Sequence, residues 1–205
     1  LSSRAQDGIV KIGLGDWASW KTVTPEDVTD TGYYYRDARM LAEIARWLDR
    51  KADAEKYDSL ADSIQMAFNK KFYDPDTARY SIGSQTALAC ALYQGLAAPA
   101  DAGRVLDSLV SVIGRNNHHL DFGLLGSKYV LNSLSEHGRA DIAYMIASQK
   151  TLPSWGWWIE QGATTLWEQW NGTESRNHTF FGDVNAWMIK YLAGIRPDPK
   201  VPGFK

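Results

Sequence analysis

Three short joints of similar sequence constrain the fold of this chain more than any other feature. They read KADAEKY at 51–57, PADAGRV at 99–105 and RADIAYM at 139–145, so they recur 48 and then 40 residues apart. Each joint follows one apolar helical pattern and opens the next, and its Ala-Asp pair falls where a helix begins, a position that favours an acidic residue. This recurrence predicts stacked helical hairpins, because a single hairpin cannot bury its apolar face alone.

Apolar residues recur at helical spacing along most of the chain, which predicts an all-α protein with no convincing β-strand. The seven predicted helices span about 30–50, 52–72, 85–96, 100–113, 124–137, 140–149 and 181–192. Short turns join the helices of a hairpin, and longer loops separate the hairpins at 73–84, 114–123 and 151–180. The stack is therefore either an open solenoid or a closed α/α toroid, and its long loops lie on one side, where a site is usually built.

Composition narrows the choice of function. The 205 residues carry a formal net charge of −2 with dispersed Lys and Arg, which argues against a nucleic-acid or acidic-membrane partner. No apolar run reaches the roughly 18 residues that a membrane span requires. The single cysteine, Cys90, lies in an apolar helical pattern and is predicted to be a small buried core residue. We expect one domain over 1–205.

The sharpest chemical signal lies in the loop 151–180, which contains five of the nine tryptophans. Within GATTLWEQWNG, Glu168 stands between Trp167 and Trp170. Indole rings partly exclude water from a neighbouring carboxylate, which favours its use as a base, and their flat faces suit the apolar face of a sugar ring. Two interpretations stay open from spacing alone: a carbohydrate site, or two core tryptophans one helical turn apart with Glu168 facing water.

Other loop residues are candidates for the same site. His178 precedes the last predicted helix and suits a hydrogen bond to a substrate hydroxyl, while Asp16 and Trp17 offer a carboxylate and a ring after a flexible glycine. Trp155 and Glu160 could line the same loop face. Each of these residues is also compatible with a purely structural role.

A metal or cofactor is not expected. His118 and His119 lie near Asp121, but adjacent side chains point apart and no third spaced ligand accompanies them. The sequence also contains no phosphate-binding loop, dinucleotide-binding glycine pattern, nucleophile elbow or zinc-protease motif. The carboxylate among tryptophans is therefore the feature on which a function has to rest.

Five segments carry a resemblance to a known family. They are GDW at 15–17, TGYYYRDARMLAEIA at 31–45, FGLLGSKYVLNSLSEHG at 122–138, PSWGWWIEQGATTLWEQWNG at 153–172 and NHTFFGDVNAW at 177–187. In this order, across nearly the whole chain, they resemble the catalytic domain of the bacterial α-L-rhamnosidases, glycoside hydrolase family 78. The resemblance implies an (α/α)6 toroid and an inverting glycosidase that acts on a rhamnose-containing glycoside or polysaccharide. It leaves the compartment open between cytoplasm, periplasm and secretion.

The resemblance also implies roles for individual residues. Glu168 matches the family's general base, which activates the attacking water. His178 matches a residue that contacts the sugar, and Trp17 one that shapes the rhamnose pocket. The predicted substrate contacts are Asp16, Trp17, Trp155, Trp167 and His178.

The family's general acid lies in an acidic segment well before the GDW motif, and residues 1–16 contain no glutamate. About seven helices are predicted, whereas a full toroid has twelve. We therefore expect the C-terminal portion of a catalytic domain, which carries the base without the acid and has little activity alone. Helix faces left exposed by the partial toroid predict self-association. HHLDFG at 118–123 departs from the family's pattern, most clearly at Asp121.

Two alternatives remain at the level of sequence. One is another α/α-toroid glycosidase that acts on a different sugar. The other is a non-catalytic helical module, either a scaffold or a carbohydrate-binding domain, in which the tryptophans would be dispersed and Glu168 would face solvent.

Overall fold

A computed structural model describes residues 1–198, and the remainder of the predicted domain, 199–205, lies outside the described residues. Eight α-helices dominate this part of the chain: Glu26–Trp47 (α1), Lys51–Phe72 (α2), Gln85–Tyr93 (α3), Ala102–Arg115 (α4), Leu124–Glu136 (α5), Ala140–Ala147 (α6), Trp155–Glu160 (α7) and Asp183–Trp187 (α8). The shorter elements are a 3-10 turn at Ser2–Arg4, an antiparallel pair of strands at Tyr73–Asp74 (β1) and Arg79–Tyr80 (β2), and a π-turn at Met188–Leu192. No helix within 1–198 is both long enough and apolar enough to cross a bilayer.

The helices pack as stacked hairpins, which confirms the prediction from the joints. α1 pairs with α2, α3 with α4 and α5 with α6. In addition α1 packs on α3, α3 on α5 and α5 on α8, so these four helices form one inner row. The most enclosed helix is α3, in which every residue of 85–92 is buried. Its nearly continuous apolar sequence suits a helix that is covered on all sides.

The three joint aspartates lie at helix starts as predicted, but they interact mainly with arginines. Asp53, Asp101 and Asp141 each form an ion pair with an arginine within three residues, at N···O distances of 2.6, 3.6 and 3.1 Å. The N-cap residues of these helices make no side-chain capping bond. The acidic groups still complement the positive helix ends.

Most helix bounds differ from the prediction by one to three residues, as at the end of α3, which lies at Tyr93 instead of near residue 96. Two further differences concern α1 and the last helix. α1 begins at Glu26, ahead of the predicted start near residue 30, and continues through Gly32. A Cβ at Gly32 would lie 2.7 Å from Cys90 Sγ, so the glycine allows α1 to cross α3 closely. The last predicted helix begins at Asp183 instead of Phe181 and ends as a π-turn.

Helix α7 and the two-residue strands were not predicted. α7 is short, and its sequence WGWWIE is aromatic on several sides, so it shows no helical periodicity. β1 and β2 flank the predicted Asp74-Pro75 turn and are too short to alternate.

Burial divides the chain into a continuous core and an exposed apolar face. Cys90 is fully buried in α3, as predicted, and burial raises the pKa of its thiol. Exposed apolar side chains collect on α1: Met40, Leu41, Ile44 and Trp47, the last of which is 74% exposed. This part of α1 lacks the cover that the rest of the inner row has.

Candidate active site

The N-terminal ends of α1, α3 and α5 meet at one end of the inner row. Thr24, before α1, and Ser84, the N-cap of α3, share a hydroxyl–hydroxyl hydrogen bond of 2.7 Å. Gln85 accepts from the backbone N–H of Asp121 (3.0 Å) and donates to the carbonyl of His119 (3.1 Å), both just before α5. The loops that precede these helices therefore lie together, as the sequence predicts for the long-loop side.

Asp16 joins the GDW loop to the start of α5. Its side chain is 6% exposed and accepts hydrogen bonds from the N–H groups of Gly123 (2.9 Å) and Gly126 (2.8 Å) and from the Thr86 hydroxyl. Burial raises the pKa of Asp16, while these donors act in the opposite direction. Both carboxylate oxygens are engaged by protein donors, so direct contact between Asp16 and a sugar stays a prediction.

Trp17 follows Asp16 and keeps 42% of its side chain exposed. Its carbonyl accepts from the Leu124 N–H at 2.8 Å. A Cβ at Gly123 would lie 2.1 Å from the Trp17 carbonyl oxygen and 2.4 Å from that of Asp16, so this approach requires glycine. The next residue, Ala18, has a φ of 61°, a costly conformation for a side chain with a Cβ. The loop is therefore held in a fixed and locally strained form.

Glu168 lies in a loop that folds back on itself. Its N–H donates to the Ser175 carbonyl (2.8 Å), and the Ser175 N–H donates back to Glu168 Oε2 (3.4 Å). Two residues earlier in the chain, the Leu166 carbonyl accepts from the His178 N–H (2.9 Å). Glu168 and His178 thus belong to one paired loop, and both side chains are half-buried.

The His178 ring is oriented by its own loop. Its Nδ1 lies 3.3 Å from the Phe180 N–H, which donates to it. A neutral imidazole that accepts at Nδ1 carries its proton on Nε2. His178 can therefore donate through Nε2, as its predicted contact with a sugar hydroxyl requires.

The tryptophans around Glu168 form a packed aromatic cluster. Trp158 and Trp170 stack with their centroids 4.7 Å apart, and Trp155 meets Trp170 edge-on at 5.1 Å. Trp155 is 7% exposed and Trp167 4%. Neither Trp167 nor Trp170 lies on a helix, so their burial does not come from the helical spacing first considered. Direct sugar contact by Trp155 and Trp167 stays a prediction, since both residues are almost fully buried.

Hydrogen bonds from this cluster also connect the loop that carries Glu168 to the segment that holds the loop of Trp17. Trp170 Nε1 donates to the Phe122 carbonyl at 2.8 Å, and Trp158 Nε1 donates to the Trp170 carbonyl at 2.9 Å. Phe122 immediately precedes Gly123, which holds the GDW loop. The Glu168 loop and the Trp17 loop are therefore fixed to the same short segment before α5.

An apolar pocket of about 300 Å³ opens beside α7 and α8. Its lining includes Trp155, Trp158, Leu166, Val184 and Met188, together with the polar Thr165. Trp155, which is 7% exposed, therefore borders this apolar pocket.

Two interactions near the site were not predicted. Asp121 accepts hydrogen bonds from Lys21 and Thr22 in the loop after Trp17. The Arg176 guanidinium lies 4.6 Å from the Trp167 ring centroid. The departure of HHLDFG from the family's pattern had marked Asp121 as unusual, whereas nothing in the sequence had indicated a role for Arg176.

His119, which precedes α5, is hydrogen-bonded within the protein. His119 Nε2 shares a hydrogen bond of 2.7 Å with the Thr151 hydroxyl. Within residues 1–198, no group of three or more His, Cys, Asp and Glu side chains is arranged to hold a metal ion.

The stacked hairpins, with their long loops gathered at one end of an inner helical row, form an α/α-hairpin domain. The family model of the bacterial α-L-rhamnosidase 6-hairpin glycosidase domain matches residues 1–192, so the chain belongs to this family. Its fold is accordingly part of an α/α toroid, as the resemblance implies.

Known relatives agree over nearly the whole chain. The α-L-rhamnosidase of Streptomyces avermitilis is 33% identical over 204 residues, which cover 93% of this chain and 20% of the relative. A crystal structure of the Streptomyces avermitilis enzyme complexed with L-rhamnose matches with a TM-score of 0.90 at 32% identity, covering 96% of this chain and 20% of that one. The structure of α-L-rhamnosidase from Dictyoglumus thermophilum matches with a TM-score of 0.86 at 40% identity, covering 93% and 23%. The chain thus spans about a fifth of the length of these relatives.

Proposed function

We propose that this chain contributes the general base and part of the sugar pocket to an inverting α-L-rhamnosidase. The supporting observation is the placement of Glu168, a half-exposed carboxylate at the edge of the aromatic cluster in a loop paired with His178. That a relative of the same fold has been crystallised with L-rhamnose supports the same sugar here.

In an inverting glycosidase, one carboxylate takes a proton from water as the water attacks the anomeric carbon. A carboxylic acid about 6.5–9.5 Å away protonates the departing oxygen. In our proposal Glu168 is the base, Nε2 of His178 donates to a sugar hydroxyl, and the exposed part of Trp17 packs on the apolar face of rhamnose. The general acid is assigned to sequence outside residues 1–205.

A different sugar on the same scaffold remains the main alternative, and a panel of aryl glycosides separates the two. The non-catalytic alternative is less consistent with the structure. It requires dispersed tryptophans, whereas Trp170 is in ring contact with both Trp155 and Trp158.

The exposed apolar face of α1, defined above by Met40, Leu41, Ile44 and Trp47, supports a second proposal. We propose that this face mediates self-association of the isolated chain, since apolar side chains exposed together on one helix favour association.

The test of the base role uses the full-length polypeptide that carries these residues. Glu168→Gln removes the basic oxygen while keeping the size of the side chain, so kcat on an aryl α-L-rhamnoside is expected to fall by about 10²–10⁴-fold. Glu55→Gln is the matched control, because Glu55 is an exposed glutamate near the start of α2, outside the loops of the candidate site, and should leave kcat unchanged. Circular dichroism should show the same fold for both variants.

Three outcomes contradict parts of this proposal. A Glu168→Gln variant that retains more than about a tenth of kcat refutes the base role, since base catalysis contributes far more than that. Appearance of α-rhamnose as the first product by proton NMR refutes inversion. Release of rhamnose by residues 1–205 alone, lost on Glu168→Gln, refutes the assignment of the acid to sequence outside the chain.

A further inference from the structure

The loop 16–22 is attached to the start of α5 by a carboxylate at each of its ends. At one end Asp16, on the loop, accepts from Gly123 and Gly126 at the start of α5. At the other end Asp121, which precedes α5, accepts from Lys21 and Thr22 on the loop. The two attachments run in opposite directions, and residues 17–20 lie between them.

At the end of the loop formed by Lys21 and Thr22, both carboxylate oxygens of Asp121 accept hydrogen bonds. Its Oδ1 accepts from the N–H groups of Lys21 (2.7 Å) and Thr22 (3.1 Å), and its Oδ2 accepts from the Thr22 hydroxyl (2.6 Å). Hydrogen bonds to an ionised acceptor are stronger than neutral ones. Asp121 is itself held in place, because its N–H donates to Gln85, which is 1% exposed. The far end of the loop is therefore fixed to the core through one side chain.

We propose that Asp121 is a positioning residue which, together with Asp16, holds the loop 16–22 so that Trp17 is already in place before a sugar binds. This inference rests on the proposed function, in which Trp17 contacts rhamnose. A loop that is ordered before binding does not lose its conformational freedom on binding, so the attachments raise sugar affinity without touching the sugar. The strained backbone at Ala18 is consistent with a conformation imposed by such attachments.

The first test measures amide hydrogen exchange of the loop 16–22 in the full chain. Asp121→Ala removes all three acceptor contacts and is expected to speed exchange in this loop by about tenfold or more. Asp121→Asn keeps one oxygen acceptor and should restore much of the protection, which also covers the case in which the alanine variant fails to fold. Unchanged exchange in both variants overturns the proposal.

Asp74→Ala is the matched control. Asp74 accepts from the Asp76 N–H (3.0 Å) and the Thr77 hydroxyl (2.6 Å), the same kinds of donor, in the turn between β1 and β2. Its removal should speed exchange only within that turn. Faster exchange of the loop 16–22 in this control would show a general loosening of the chain and would also overturn the proposal.

The second test measures L-rhamnose binding and acrylamide quenching of Trp17, with Trp17→Phe as the spectral reference. Asp121→Ala is expected to raise Kd for L-rhamnose by about tenfold and to increase quenching, with Asp121→Asn between it and the wild type. Faster loop exchange with an unchanged Kd overturns the positioning role while leaving the proposed function intact. This binding test uses the full-length polypeptide, as the test of the base role does. Failure of its wild-type form to bind L-rhamnose contradicts the proposed sugar pocket, and with it the sugar-positioning role, even where loop exchange responds as expected.

Discussion

Replacing Gly123 by alanine tests how strictly the two loops depend on the segment before α5. The φ of Gly123 is −102°, which any residue adopts, so the effect comes from contact alone. The new Cβ would lie 2.1 Å from the Trp17 carbonyl oxygen and 2.4 Å from that of Asp16, and both contacts are with backbone. Relief therefore requires a backbone shift of about 1 Å, because non-bonded atoms do not approach so closely.

A shift of that size breaks two specific hydrogen bonds. One joins the Leu124 N–H to the Trp17 carbonyl (2.8 Å), and the other joins the Gly123 N–H to the Asp16 carboxylate (2.9 Å). A neutral hydrogen bond contributes about 1 kcal/mol and one to a charged group about 1.5–3 kcal/mol. We therefore expect Gly123→Ala to lower the free energy of unfolding by about 2.5–4 kcal/mol.

The assay is urea unfolding followed by circular dichroism, with thermal unfolding as a second measurement. For a chain of this size the expected loss corresponds to a fall in Tm of about 5–16 °C. Gly114→Ala is the control with the opposite sign: no atom lies within 4 Å of its new Cβ, and it should stabilise α4 by up to about 1 kcal/mol. A Gly123→Ala variant within about 1 kcal/mol of the wild type would refute the reasoning.

Three further predictions concern the rest of the chain. The Cys90 thiol, buried and with a raised pKa, should react with Ellman's reagent only as fast as the chain unfolds; immediate native labelling would contradict its burial. The hydrogen bond from Arg139 lowers the pKa of Asp141, so the folded chain binds fewer protons there. The wild type should therefore be more stable than Asp141→Asn above the usual aspartate pKa of about 4. This advantage should disappear as the pH falls through the lowered pKa of Asp141 in the folded chain, as measured by urea unfolding at several pH values. In light scattering, the average molar mass of the isolated chain should rise with protein concentration, and Trp47→Lys should return it towards the mass of a monomer. A wild-type chain that is monomeric at all concentrations would contradict association through α1.

Local sequence was sufficient for the hairpin architecture, because each inner helix has its own periodic or continuous apolar pattern. Cys90 is an example: its place in TALACALY predicts burial, and α3 is covered on all sides. α7 shows where this fails, since six residues with aromatic side chains on several faces carry no helical period.

The candidate site was less predictable, because its geometry depends on partners far away in the sequence. The pair Trp167 and Glu168 indicates a special loop, but the sequence does not say whether the ring faces a sugar or the core. Burial of the aromatic cluster is decided by Phe122 and Phe181, which contact Trp170 from other segments. The acceptor role of Asp121 likewise depends on residues about 100 positions earlier.

The shared end of α1, α3 and α5 has an electrostatic consequence. Helices that begin together and pack side by side are parallel, so their dipoles do not cancel, and each N-terminus carries roughly half a positive charge. Asp16 and Asp121 sit at this end with their oxygens directed at backbone N–H groups. Asp16 therefore acts as a built-in counter-ion at the start of α5, and neutralising it leaves the positive potential at this end of the helices without one of its balancing charges.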